Sequence, residues 1–243
     1  MSYLRAELKK FSGNIKTMDF QTTVVLSSLP FIIFLSMEIA NPYFFIRNFG
    51  GDKLASRLYW LFADGLIFSV IPLLIILFVF KKKPKDFGFR IGDLKFGLIT
   101  TGIFFGVMLI LMWFASSSQE FANAYPLGGA KVKDDLMLFA IYEFSVLVYM
   151  FGWEFFWRGY TLFGLYDKLG LYSILIQMIP FFILHRGKPE VELFASIFAG
   201  VILGIQALRS RSFIYSWILH WLVMVSIDVI SILRSNFNFY SIF

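Results

Sequence analysis

Residues 96–115 read FGLITTGIFFGVMLILMWFA, twenty positions without a charged side chain. About 20 largely apolar residues is the length an α-helix needs to cross the ~30 Å hydrocarbon core of a bilayer. A helix bonds its own backbone N–H and C=O groups, which hydrocarbon cannot do for it. The stretch therefore predicts a transmembrane helix, and the rest of the chain repeats the pattern on both sides of it.

Upstream, candidate spans lie near 20–46, interrupted by Pro30 and carrying Glu38, and near 58–80, ending in Lys81-Lys82-Lys83. Downstream they lie near 136–163, which is unusually long, near 171–186, which is short, and near 192–208 and 213–233. The expected fold is thus an all-α polytopic membrane bundle of about seven spans. Residues 1–135 supply an N-terminal tail and three accessory spans, and 136–243 a four-helix core. Residues 1–19 are polar and mixed and suit a short interfacial helix. They lack the apolar core and small-residue cleavage site of a signal peptide. The segment 116–135, with Tyr125-Pro126-Leu127, is the longest expected loop.

Composition agrees. The chain is 58% hydrophobic and only 16% charged, against about 25% charged in ordinary globular chains. A soluble fold of 243 residues could not hide that much apolar surface. With no cysteine, disulfides, thiolate zinc sites and cysteine nucleophiles are excluded. The net charge of +6 forms no basic soluble face of the kind nucleic acid requires. Nor is there a glycine-rich phosphate loop or a convincing internal repeat. Seven spans with the N-terminus inside place 14 of the 22 Lys and Arg on the inner side, an orientation the positive-inside rule favours.

Ionisable groups within spans are costly and default to functional hypotheses. Here they are Glu38, Asp64, Glu143, Glu154, Arg158, His185, His220 and Asp228. Glu154 and Arg158 stand at i and i+4 in FGWEFFWRGY, on one helix face. They read either as an ion pair hiding two charges or as a carboxylate oriented to act as a general base. Glu143, about three turns earlier, reads first as a charge near the helix end. His185 closes PFFILH after the helix-bending Pro180, with Gln177 two turns before it. His220 lies inside the last span, followed by Met224 and Asp228. At 1.5 Å per residue Asp228 lies about 12 Å along the axis from His220. Ser196, Gly200 and Gly204 have the spacing of close helix packing. A carboxylate with an Arg and two imidazoles on three spans suits hydrolysis of an amide. A transporter with a polar pathway is the main rival.

At these residues the chain resembles the CPBP family, the CAAX proteases and bacteriocin-processing enzymes also called the Abi family, which are glutamate-dependent intramembrane proteases. The family's EExxxR motif is matched by Trp153-Glu154-Phe155-Phe156-Trp157-Arg158, its FxxxH motif by Phe181 to His185, and its HxxxN motif begins at His220. The resemblance covers roughly residues 81–230. Two positions depart from it: Trp153 stands where the first glutamate belongs, and Met224 where the asparagine belongs.

The resemblance implies an intramembrane endopeptidase, in a bacterial inner membrane with a cytoplasmic N-terminus. Its substrate would be a membrane-anchored peptide or protein: a prenylated CAAX tail, a C-terminal sorting signal or a leader peptide. Glu154 and His185 would activate water, Arg158 would fix and charge the site, and His220 would stabilise the oxyanion, with Trp153, Phe181, Met224, Asp228 and Glu143 in supporting places. No metal is required, although Glu154, His185 and His220 also make a possible three-ligand zinc set. The two departures favour an alternative, a non-catalytic immunity or scaffold protein on the same fold. One expectation conflicts with the mechanism: straight spans centred in the bilayer would separate Glu154 from His185 by roughly 15 Å along the normal.

Overall fold

A computed structural model describes residues 2–236, and it is helical, with no strand among the described residues. After α1 (Ser2–Lys16) come α2 (Phe20–Ile39), α3 (Pro42–Phe49) and α4 (Lys53–Leu74), which ends in a π-helical turn, Ile75–Val79. A 3₁₀ turn at Pro84–Phe87 leads to α5 (Leu94–Ala115), the stretch that predicts the fold. Two short helices follow, α6 (Gln119–Ala124) and α7 (Lys131–Asp134), then α8 (Leu136–Glu154). This runs through a π-helical stretch, Phe155–Thr161, into α9 (Leu162–Leu169); α10 (Tyr172–Leu184), α11 (Glu190–Ser210) and α12 (Ile214–Asn236) complete the bundle.

Short polar side chains set the starts of the apolar helices. Asp19, Asp52, Asp93 and Asp135 each accept a backbone N–H of the first turn of α2, α4, α5 and α8. Such caps satisfy donors that a helix cannot satisfy itself.

Six helices among the described residues are long and apolar enough to cross a membrane, and the chain is an integral membrane protein. The boundaries differ from the sequence reading in three places. The first expected span is two helices, because Asn41 caps α3 and Pro42 cannot continue α2, whereas Pro30 sits inside α2. Glu38 is exposed near the end of α2. The fourth span continues to Leu169, 34 residues in all. The fifth, α10, has only 13 residues, about 20 Å of helix, which is shorter than a bilayer core.

Packing centres on α8. It lies against α4 on one side and α12 on the other, α5 supports α12, and α10 packs on α11. At the α4–α8 crossing, Gly65 and Gly152 meet backbone to backbone, and a Cβ on either would collide with the other helix's main chain. Small residues permit this approach. Ser196, Gly200 and Gly204 are explained by packing too: Gly200 seats Met178 and Gly204 seats Ile174 and Gln177. Asp64 ties α2 to α4, accepting from Ser36 Oγ and, at 3.1 Å, from Trp60 Nε1.

Candidate active site

The segment FFWRGYT, residues 155–161, forms the π-helical stretch, and all seven residues are buried. Widened turns of this kind are frequent at functional sites. Glu154 ends the regular helix before it, and Arg158 stands four residues on, both fully buried. Arg158 Nη1 donates to Glu154 Oε1 at 3.1 Å, and its guanidinium carbon lies 4.1 Å from the Phe181 ring centre. The i, i+4 pairing read from the sequence is therefore real, and Arg158 belongs to the core.

From α12, His220 Nδ1 approaches the same oxygen, Glu154 Oε1, at 2.7 Å. The carboxylate is thus asymmetric: Oε1 has two donors, and Oε2 is buried with no hydrogen-bond partner among the described residues. Because a carboxylate only accepts, His220 Nδ1 carries the hydrogen.

His185, the C-terminal cap of α10, comes to the same region by a different route. Its Nδ1 is 2.7 Å from the Phe181 carbonyl, so Nδ1–H donates and neutral His185 keeps its lone pair on Nε2. Its ring lies 4.5 Å from that of Phe181 and 6.1 Å from that of Trp153, and Phe181 lies 6.2 Å from the His220 ring. The separation of roughly 15 Å expected between Glu154 and His185 does not arise. Glu154 stands sixteen residues before the turn at Gly170 and His185 fifteen after it, so the α8–α9 arm and α10 fold back with the two at one level. Even so, the carboxylate bonds to His220, while His185 meets the cluster through the rings of Trp153 and Phe181.

Other candidates lie elsewhere or play packing parts. Met224 is buried in the hydrophobic core one turn beyond His220. Asp228 is buried beside Glu143 and Tyr142, not beside His220. Glu143 stands eleven residues before Glu154 on the same helix, about 16 Å along the axis, and takes no part in the cluster.

Two features went unread in the sequence, the bond that Gln177 makes and the burial of three indole N–H groups. Gln177, buried on α10, donates to the Gly200 carbonyl at 2.7 Å and locks α10 to α11 behind His185. The indole N–H groups of Trp153, Trp157 and Trp221 are buried without a partner among the described residues. Tryptophan in membrane proteins usually sits at the interface, where its N–H is hydrated. Three tryptophans inside spans, beside the motifs, were the available signal.

The zinc set weighed from the sequence, Glu154, His185 and His220, is not gathered into one cluster among the described residues. Among the described residues no three His, Cys, Asp or Glu side chains converge as metal ligands. Arg158 and the His220 Nδ1–H already occupy Glu154 Oε1.

Residues 135–226 match the family model described as Type II CAAX prenyl endopeptidase Rce1-like. The match spans α8 to α12, includes all three motifs, and bears out the resemblance to the CAAX protease family. Over that stretch the chain is similar to CAAX-type membrane endopeptidases. No curated protein and no solved structure matches the chain.

Proposed function

We propose, on the premise of an Rce1-like membrane core, that the protein is a metal-free glutamate endopeptidase that cuts a membrane-anchored peptide. The observation that carries this reading is the divided carboxylate of Glu154. Oε1 is held by a buried cation and an imidazole N–H, and Oε2 is left as an unpartnered base.

In the proposed reaction a water gives its proton to Glu154 Oε2 as its oxygen bonds to the scissile carbonyl carbon. The resulting oxyanion needs donors in a site of low polarity. Asparagine is absent at Met224, and the donors at hand are Trp153 Nε1–H and the free Nη2–H of Arg158. As the C–N bond breaks, Glu154 returns the proton to the amine leaving group. His220 keeps Oε1 engaged throughout, so the proton moves on and off one oxygen. In this reading His185, with Nε2 unprotonated, accepts a hydrogen bond from the attacking water or from the substrate amide.

The substrate class favoured is a prenylated CAAX tail, with a C-terminal sorting signal or a leader peptide as alternatives. The basic end of the bundle, which carries Lys81, Lys82, Lys83, Lys85 and Arg90, faces the cytoplasm in this reading. The departures at Trp153 and Met224 favour one second reading, a non-catalytic immunity or scaffold protein.

The test is cleavage of a fluorogenic lipopeptide panel, with and without chelator, by purified wild type and by Glu154→Gln. Chelator-resistant cleavage that disappears in the variant supports the proposal. Cleavage lost to chelator and restored by zinc replaces it with a metalloprotease. Equal cleavage by both proteins removes Glu154 from the mechanism. A wild type inert on the whole panel moves the weight to the non-catalytic reading.

A further inference from the structure

Away from Glu154, at the basic end of the bundle, the loop 81–93 closes over the turn between α11 and α12. Three hydrogen bonds hold it there: Asp93 N–H to the Ser210 carbonyl at 2.8 Å, Phe213 N–H to the Gly88 carbonyl at 3.2 Å, and Arg90 Nε–H to the Arg211 carbonyl at 3.0 Å. Beside this joint lies a cavity of about 620 Å³.

The cavity has two chemically distinct halves. One carries Lys82, Arg90, Arg209 and Arg211 against the carboxylates of Asp86 and Asp167. Arg209 is balanced by Asp93 at 3.4 Å, and Lys82 donates to Gln21 Oε1. Neither Arg90 nor Arg211 has a carboxylate partner among the described residues; Arg90 Nε–H bonds the Arg211 backbone carbonyl, and both residues line the cavity. Like charges lining one cavity repel, and an anion seated among them offsets that cost. The other half is an apolar wall that includes Leu171, Ile205 and Leu208. Leu171 and Ile205 are largely exposed, so the wall opens to whatever surrounds the bundle.

We propose that this cavity binds an anionic phospholipid, with the phosphate on Arg90 and Arg211 and an acyl chain along Leu171 and Ile205. A free phosphate shares the first half of that chemistry but has no use for the second. Basic pockets between spans, on the side bearing the positive loops, are suited to anionic headgroups. The occupant would also tie the 81–93 loop to the α11–α12 turn, and so brace the start of the helix that carries His220.

The experiment uses the delipidated full chain in a neutral detergent, with native mass spectrometry counting bound phosphatidylglycerol, phosphatidylcholine as the neutral comparison, and inorganic phosphate as competitor. One phosphatidylglycerol is expected per chain, in excess over phosphatidylcholine and undisplaced by phosphate at equal concentration. Arg211→Asn should weaken it about fivefold, the effect of one cation near a lipid surface. Asparagine tolerates the left-handed conformation of Arg211, φ 57°, so the turn survives the change. Lys82→Gln, on a separate element, should weaken binding in the same direction. Equal retention of the two lipids, or unchanged binding in both variants, overturns the proposal. Displacement by inorganic phosphate overturns it in favour of a free-anion site.

Discussion

His220 Nδ1 lies 2.7 Å from Glu154 Oε1 and Arg158 Nη1 lies 3.1 Å from the same atom, so two donors from two directions hold one oxygen and leave the other bare. Glu154→Gln keeps the size of the side chain and an oxygen for these donors, but it cannot take a proton. General base catalysis contributes about 10²–10⁴, and kcat on a cleaved lipopeptide should fall by that factor. His220→Gln should cost less than Glu154→Gln, because it loosens Oε1 without removing the base. Single-turnover rates for the two variants provide the comparison, and the reverse order would make His220 the primary base.

The Glu154–Arg158 pair is fully buried. Removing one member of such a pair strands the other charge and costs about 3–5 kcal/mol, whereas replacing both with apolar or neutral groups is often tolerated. Arg158→Met should therefore lower the unfolding temperature in detergent sharply. Glu154→Gln combined with Arg158→Met should recover much of the loss, although neither protein cleaves. Strict additivity in that cycle would mean that the two side chains do not share their burial cost.

Much of this arrangement was legible. The i, i+4 spacing of Glu154 and Arg158 foretells their contact because helix geometry alone places them together. The level of His185 was misread, although counting from Gly170 gives nearly equal arms. Counting from the bilayer midplane misled, because α8 and α9 form one 34-residue helix that extends well past the hydrocarbon. Which imidazole meets the carboxylate was not legible. That depends on the rotation of α12 against α8, set by side chains such as Trp217, whose Nε1 donates to the Leu147 carbonyl at 3.1 Å. The π-helical stretch also left no mark in the apolar pattern, because all of its residues are buried.

The α4–α8 crossing is a stability prediction. In Gly152→Ala the new methyl meets the Gly65 carbonyl, which belongs to the backbone and cannot rotate away. Overpacking costs about 1–3 kcal/mol, and the displaced helix carries Glu154 two residues on. Unfolding temperature and cleavage rate should fall together. Gly102→Ala on α5 meets nothing within 4 Å and should leave both near wild type. A harmless Gly152→Ala would mean that the helices have room to separate at this point.

The last prediction concerns Trp153, which stands where the family motif has its first glutamate. Its ring is 5.6 Å from Phe68, 5.7 Å from Phe181 and 6.1 Å from His185, so packing fixes its orientation on three sides. Its N–H is buried with no acceptor among the described residues, and leaving a buried donor unpaired costs about 1–3 kcal/mol. A donor kept at that cost, beside a carboxylate whose reaction creates an oxyanion, is explained if it bonds only as the charge develops. Trp153→Phe keeps most of the ring contact and removes the N–H. If the indole stabilises the oxyanion, kcat should drop by about 10²–10³, the loss typical of one such donor, with KM little changed and the unfolding temperature held or raised as the unpaired N–H is removed. If Trp153 only packs, kcat should stay near wild type and the unfolding temperature should carry the whole effect. A split in which KM rises while kcat holds would instead make Trp153 part of the wall that binds the peptide.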